Sequence, residues 1–190
     1  PFTAGDNRPE PAFSTMKVPL AIAALRQDQA FYPDAEAAVT RSDNPAAHRM
    51  FGQVPAASYE GVIREAGART TTPAGYQMGT MWTTSDQAEF ASGLRCVAGY
   101  EPVLDMMGRI VDYQHWGLGR IGGARFKGGW NHHEGGHLAR QFGLIPGPNG
   151  DIAVAITAHS PKGHEGSFAM LNELADGLSA MRGDLPTSRC

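Results

Sequence analysis

Ser14 and Lys17 sit three residues apart at the head of an apolar run, Val18-Pro19-Leu20-Ala21-Ile22-Ala23-Ala24-Leu25. On a helix that spacing puts both side chains on one face, with the ammonium in reach of the hydroxyl. A serine hydroxyl attacks a carbonyl carbon only when a base takes its proton. A lysine partly stripped of water can be that base. Alone, the pair reads equally as an N-cap serine followed by a surface lysine. Two further groups follow in order: Ser42-Asp43-Asn44, then Lys127-Gly128-Gly129-Trp130 in a strand-like context. Separately these are ordinary turn chemistry and a solvated strand lysine. The ordered set points instead to a nucleophile with its base, a proton relay and a fixed cation.

Ser-x-x-Lys, then Ser-Asp-Asn, then Lys-Thr-Gly is the signature of the penicillin-recognising serine enzymes, and the chain resembles that family from about Pro11 to its last helix. The family comprises class A β-lactamases and D-alanyl-D-alanine peptidases. The resemblance implies an α/β fold in which a helical lobe lies beside an antiparallel sheet, with the active site between them. It implies Ser14 as nucleophile, Lys17 as base and Ser42 as proton relay. Asn44 would hold the substrate amide and steady Lys17. Lys127 would favour neutral Lys17 by its field and draw in an anionic substrate. The N–H groups of Ser14 and Trp130 would form the oxyanion hole, and Gly129 belongs to the same substrate-binding strand. No cofactor is implied; the substrate would be a β-lactam or a D-alanyl-peptide-like small molecule or peptide.

Two departures qualify that expectation. Gly128 stands where the family has a Thr or Ser hydroxyl that helps hold a carboxylate. Arg140 on the next strand is either a substitute carboxylate partner or an exposed charge. The second departure concerns the glutamate that activates the deacylating water in class A enzymes. Glu101-Pro102-Val103-Leu104-Asp105 looks like that loop, but it follows the helix started by Thr83-Thr84-Ser85, where the family has a structural helix. The corresponding loop, Thr70 to Trp82, holds no carboxylate. Slow or non-β-lactamase turnover follows, with a non-catalytic binder of cell-wall peptide or of a partner as the alternative.

His133-Glu134-Gly135-Gly136-His137 also matches His-x-x-x-His spacing for a zinc peptidase. That motif needs a helix, and two adjacent glycines inside one cost roughly 2 kcal/mol relative to alanine. The flanks are strand-like, so a hairpin turn is the better reading and no metal is assigned. His132 adds a third imidazole, which allows adventitious metal binding. His48, His115, His159 and His164 lack paired spacing and read as surface or capping residues.

The 190 residues suffice for one domain with a real core, and 42% are apolar, the ordinary share for a soluble chain. A net charge of −3 without a basic stripe argues against nucleic acid. No apolar stretch is long enough to span a bilayer. Pro1 is not a natural start, which suggests a removed upstream segment. Cys96 and Cys190 are either one disulfide or two thiols; a bridge would place the protein outside the cytoplasm, secreted, periplasmic or at the cell wall.

The elements that must position these residues follow from pattern. Residues 1–13 read as extended or loop, and Ser14 to about Asp28 as a buried helix bent at Pro19. Asp34 caps a helix over 35–40, and Pro45 opens one over 46–51. A helix over 56–66 ends at Gly67. Residues 68–82 read as loop, followed by helices to about Val97 and over 101–114. Residues 124–133, 138–145 and 152–158 read as strands, and 165–181 as a closing helix. One domain results, helical over about 14–120, with sheet and terminal helix over about 121–185. A three-stranded sheet leaves an edge exposed, so either a homodimer or a missing N-terminal segment is expected.

Overall fold

The computed structural model describes residues 2–74 and 79–190. Part of the loop over 68–82 therefore lies outside the described residues. Phe13–Met16 forms a tight 3-10 turn that leads into α1, Lys17–Gln27. Ser14 thus precedes the α-helix, while Lys17 opens it. Pro19 falls in the first turn of α1, where a missing N–H is tolerated, and the helix runs on through it. α1 is buried along nearly its whole length and packs against α2 (Tyr32–Arg41), α3 (Asn44–Phe51) and α4 (Ala56–Glu65).

Asp34 does not cap α2, which starts earlier with Pro33 in its first turn; Asp34 pairs with Arg49 instead. Ser42 ends α2 in the left-handed region at φ 58°. The Asp43 carboxylate then caps α3, accepting from the Ala46 N–H at 2.9 Å. This sharp link turns Ser42 and Asn44 back toward α1. Thr83 caps α5 (Thr84–Ser92) by accepting from the Asp86 N–H. α6 (Glu101–Met107) stops well short of the expected Gln114, and 112–114 is a separate 3-10 turn.

Two short strands were missed in the sequence. β1 (Glu10–Pro11) pairs antiparallel with β2 (Met81–Trp82). The pair ties the segment before Ser14 to the loop before α5, and Ala12 N–H adds a bond to Thr80 O at 2.9 Å. The main sheet has three antiparallel strands in the order β3 (Arg125–His133), β4 (Gly136–Gly147), β5 (Gly150–Ser160). Glu134 and Gly135, at φ 48° and 75°, make the two-residue turn between β3 and β4. α7 (Gly163–Ala180) covers one face of the sheet; α5 and the helical lobe cover the other. Among the described residues no strand pairs with the outer edge of β5, although Ser188 N–H donates to Asp151 O near its start.

Cys96 and Cys190 are joined in a disulfide, with their Cα atoms 5.6 Å apart. No helix among the described residues is long and apolar enough to cross a membrane.

Candidate active site

The 3-10 turn, the link between α2 and α3, and β3 meet at a cleft of about 260 Å³. Ser14, Ser42, Asn44 and Trp130 line it. Beneath them lies Lys17, wholly buried. Its Nζ is 2.9 Å from Ser14 Oγ, 2.9 Å from Ser42 Oγ, 2.8 Å from Ser42 O and 2.8 Å from Asn44 Oδ1. Burial pushes the Lys17 ammonium down to about 7, against the Asp43 carboxylate, which raises it. The depression therefore comes chiefly from desolvation, and the two lysine charges also oppose one another.

Four partners around one nitrogen decide its protonation chemistry. Ser42 O and Asn44 Oδ1 can only accept, so they take two N–H bonds. A neutral amine has two N–H groups and one lone pair. The lone pair then faces the two hydroxyls, Ser14 and Ser42, either of which can donate to it. The neutral lysine thus satisfies both acceptor-only oxygens and turns its lone pair to the two serine hydroxyls, accepting from one of them at a time.

Phe13 holds the turn in a constrained shape, with a non-glycine φ of 50° and a buried side chain. Such a conformation costs on the order of 1–3 kcal/mol and persists only where packing over-determines it. Gly129 explains how β3 comes so close. A Cβ there would lie 2.8 Å from Ser14 N and 2.9 Å from Phe13 Cβ. Only glycine lets the strand approach the backbone of the nucleophile's turn.

Lys127 is wholly buried, and its Nζ has no hydrogen-bond partner among the described residues. Burial first, and the nearby Lys17 charge second, push it well below its ordinary range. The reading of Lys127 as a solvated strand residue is corrected. Gly128 has an equally physical cause. A Cβ there would lie 2.8 Å from Trp116 Cη2 and 3.3 Å from Gln141 Cγ. Trp116 stacks on Phe168 at 4.1 Å and meets Trp130 edge-on at 5.3 Å. An aromatic wall occupies the space beside the strand where a hydroxyl-bearing side chain would stand.

Arg140 does not reach the cleft. It is wholly buried, with Nη1 donating to Glu10 O at 2.9 Å and Pro11 O at 3.1 Å, and Nε to Gln87 Oε1 at 3.3 Å. Gln87 in turn donates to Thr15 Oγ1 at 3.0 Å. Both expectations for Arg140, carboxylate partner and exposed charge, are corrected: its donors brace β1 and the Ser14 turn. Glu101 opens α6 and does not line the cleft. Asp86, also buried, is engaged by the N–H groups of Arg69, Thr70 and Thr71 and so anchors the loop before β2.

The pairing of His133 with His137 on one helical face is also corrected. Both lie on strands, and register sets His132, not His133, opposite His137. His133 Nε2 faces the Glu10 carboxylate at 2.9 Å. Phe13, Arg41, Tyr113, Gln114 and Asn131 also line the cleft and were not singled out from the sequence; Phe13, Arg41 and Asn131 adjoin motif residues directly, whereas Tyr113 and Gln114 carry no such signal.

A helical lobe against an antiparallel sheet, with a serine–lysine pair at their junction, is the fold of the β-lactamases and penicillin-binding proteins. A β-lactamase from Sphaerobacter thermophilus superposes with a TM-score of 0.74 at 18% identity, covering 95% of this chain and 86% of that one. A variant of the penicillin-binding protein PBP-A, in an acyl-enzyme complex with penicillin G, gives 0.67 at 18% identity over 94% and 85%. A class A β-lactamase from Mycobacterium abscessus gives 0.69 at 13% identity over 91% and 86%. No family model and no curated protein matches the sequence.

Proposed function

We propose that the chain is a serine acyl-enzyme hydrolase that takes a β-lactam or a D-alanyl-peptide-like amide. One observation carries the reading: Ser14 Oγ lies 2.9 Å from the amine of Lys17, which burial lowers to about 7, so that a large share of it is a neutral base at neutral pH. Neutral Lys17 accepts the Ser14 proton as Oγ bonds to the carbonyl carbon. The proton then passes to the leaving nitrogen by way of Ser42, whose hydroxyl shares the same amine. The Ser14 and Trp130 N–H groups take up the oxyanion, and Asn44 holds the substrate amide. Arg41, exposed at the rim of the cleft, is the cation best placed for a substrate carboxylate in the role first considered for Arg140.

Release of the acyl group is slow in this reading. The 70–82 stretch carries no carboxylate to activate water, and Asp86 is engaged by backbone donors. The disulfide supports a location outside the reducing cytoplasm, secreted or at the cell wall. Incubation with a fluorescent penicillin, followed by mass spectrometry, tests the proposal. A persistent adduct on Ser14, absent from Ser14→Ala, is expected. No adduct with penicillins or with general serine-hydrolase probes would leave the fold as a binding module.

A further inference from the structure

Away from the cleft, three imidazoles converge from three different elements. His132 is the last residue but one of β3, His137 is the second of β4, and His164 lies in the first turn of α7. One ring nitrogen from each lies within 4.8 Å of the others. The ring centroids are 4.3 Å apart for His132 and His137, and 4.5 Å for His137 and His164. The Nδ1 atoms of His137 and His164 are buried without a hydrogen-bond partner. Three polar rings packed together with unused nitrogens cost stability unless something binds them.

We propose that His132, His137 and His164 form a binding site for a divalent transition-metal ion, with Zn²⁺ as its probe. Imidazole nitrogen is a favoured ligand for Zn²⁺, and three histidines leave a fourth position for water. Tetrahedral ligation at a Zn–N distance of about 2.0 Å sets ligand nitrogens ~3.3 Å apart, so the rings, whose nitrogens lie within 4.8 Å of one another, close in on a bound ion. Ligation needs neutral imidazole, so binding should weaken as the pH falls. His132 is exposed, so an ion can enter from solvent. Once bound, it would fasten the start of α7 to the β3–β4 hairpin. None of the three lines the Ser14 cleft, and the site uses His137 with His132 and His164 in place of the His133 partner that a zinc peptidase would need.

The test is calorimetric titration of the chelator-treated protein with Zn²⁺, then with Co²⁺ followed by visible absorption. Wild type should bind one ion per chain, and the Co²⁺ form should show the absorption of low-coordinate nitrogen ligation. Loss of an outer-shell partner typically costs 10–100-fold in affinity, so His132→Ala, His137→Ala and His164→Ala should each lose at least about 100-fold. His132 is exposed, so His132→Ala retains the fold whatever the other two do. His133→Ala and His159→Ala, whose rings meet each other on the other side of the hairpin, should bind as wild type does. Zn²⁺ should raise the melting temperature of wild type and not of His132→Ala. Wild-type binding no tighter than that of a variant carrying His132→Ala, His137→Ala and His164→Ala together, or equal loss on His133→Ala, overturns the site. Binding with no change in melting temperature overturns the fastening role.

Discussion

Lys17 and Lys127 are both wholly buried beside one cleft, yet they stand in opposite chemical positions. Lys17 has four oxygen partners, supplied by a helix start and a cap link close to it in space. Lys127 has none among the described residues. Burial is the main cause that lowers the proton affinity of both amines. What separates the two amines is the partner set, which fixes where the lone pair of Lys17 points. The amine on the α1 side of the cleft is held by oxygen partners, and the amine on the β3 side has none among the described residues.

The largest effect that can break this contrast is on chemistry. Lys17→Met should slow acylation by about 10²–10⁴, the usual worth of a positioned base, as read from adduct formation with a fluorescent penicillin. An unchanged rate would remove Lys17 from the mechanism. The pH profile sharpens the same point. Acylation should rise with pH to a plateau above about 7, falling about tenfold per unit below it, because only neutral Lys17 takes a proton. A profile flat from about pH 5 to 8 contradicts the assignment.

Stability separates the two amines next. Lys127→Met replaces an unpartnered buried amine by an apolar chain of similar length. It should stabilise the protein by about 1–3 kcal/mol in urea unfolding. Lys17→Met removes the shared donor of Ser42 O and Asn44 Oδ1 and should destabilise by a similar amount. Equal signs for the two would erase the distinction. The linkage to pH has a definite direction. The folded-state value of about 7 for Lys17 lies below the ordinary 10.5, so the unfolded chain holds the extra proton between them. Stability should therefore rise with pH across that window, and Lys127 acts in the same sense.

The smallest expected effect concerns the wall behind β3. Gly128→Thr restores the residue type of the family pattern, but Trp116 occupies the space. It should cost about 1–3 kcal/mol, and a smaller residue at 116 should recover part of that. Recovery of carboxylate binding by Gly128→Thr alone would show that Trp116 yields easily.

These residues also mark where sequence reasoning stops. Ser14, Lys17, Ser42 and Asn44 were legible because Ser-x-x-Lys and Ser-Asp-Asn follow in order; the left-handed Ser42 and the Asp43 cap that bring them together were not read from the sequence. The three strands and the closing helix were legible from periodicity. Arg140 was not, because alternation along β4 sends its side chain to the face that meets β1 and Gln87. Gly128 looked like a defect until Trp116, from a separate segment, filled its space. The His132–His137–His164 cluster depends on hairpin register and on the docking of α7, neither of which spacing reveals. The early end of α6 follows the same pattern, since beyond Met107 the chain turns at Gly108 instead of completing the apolar repeat.

The Cys96–Cys190 bridge divides the molecule mechanically. It spans 94 residues of sequence, and that span contains α6, β3, β4, β5 and α7. Ser14, Lys17, Ser42 and Asn44 lie outside it. A pulling force applied between Phe2 and Cys190 passes straight to Cys96 and leaves the sheet and α7 unloaded. The segment carrying the nucleophile and its base would extend first, and the strand bearing Lys127 would stay folded until the bridge was reduced.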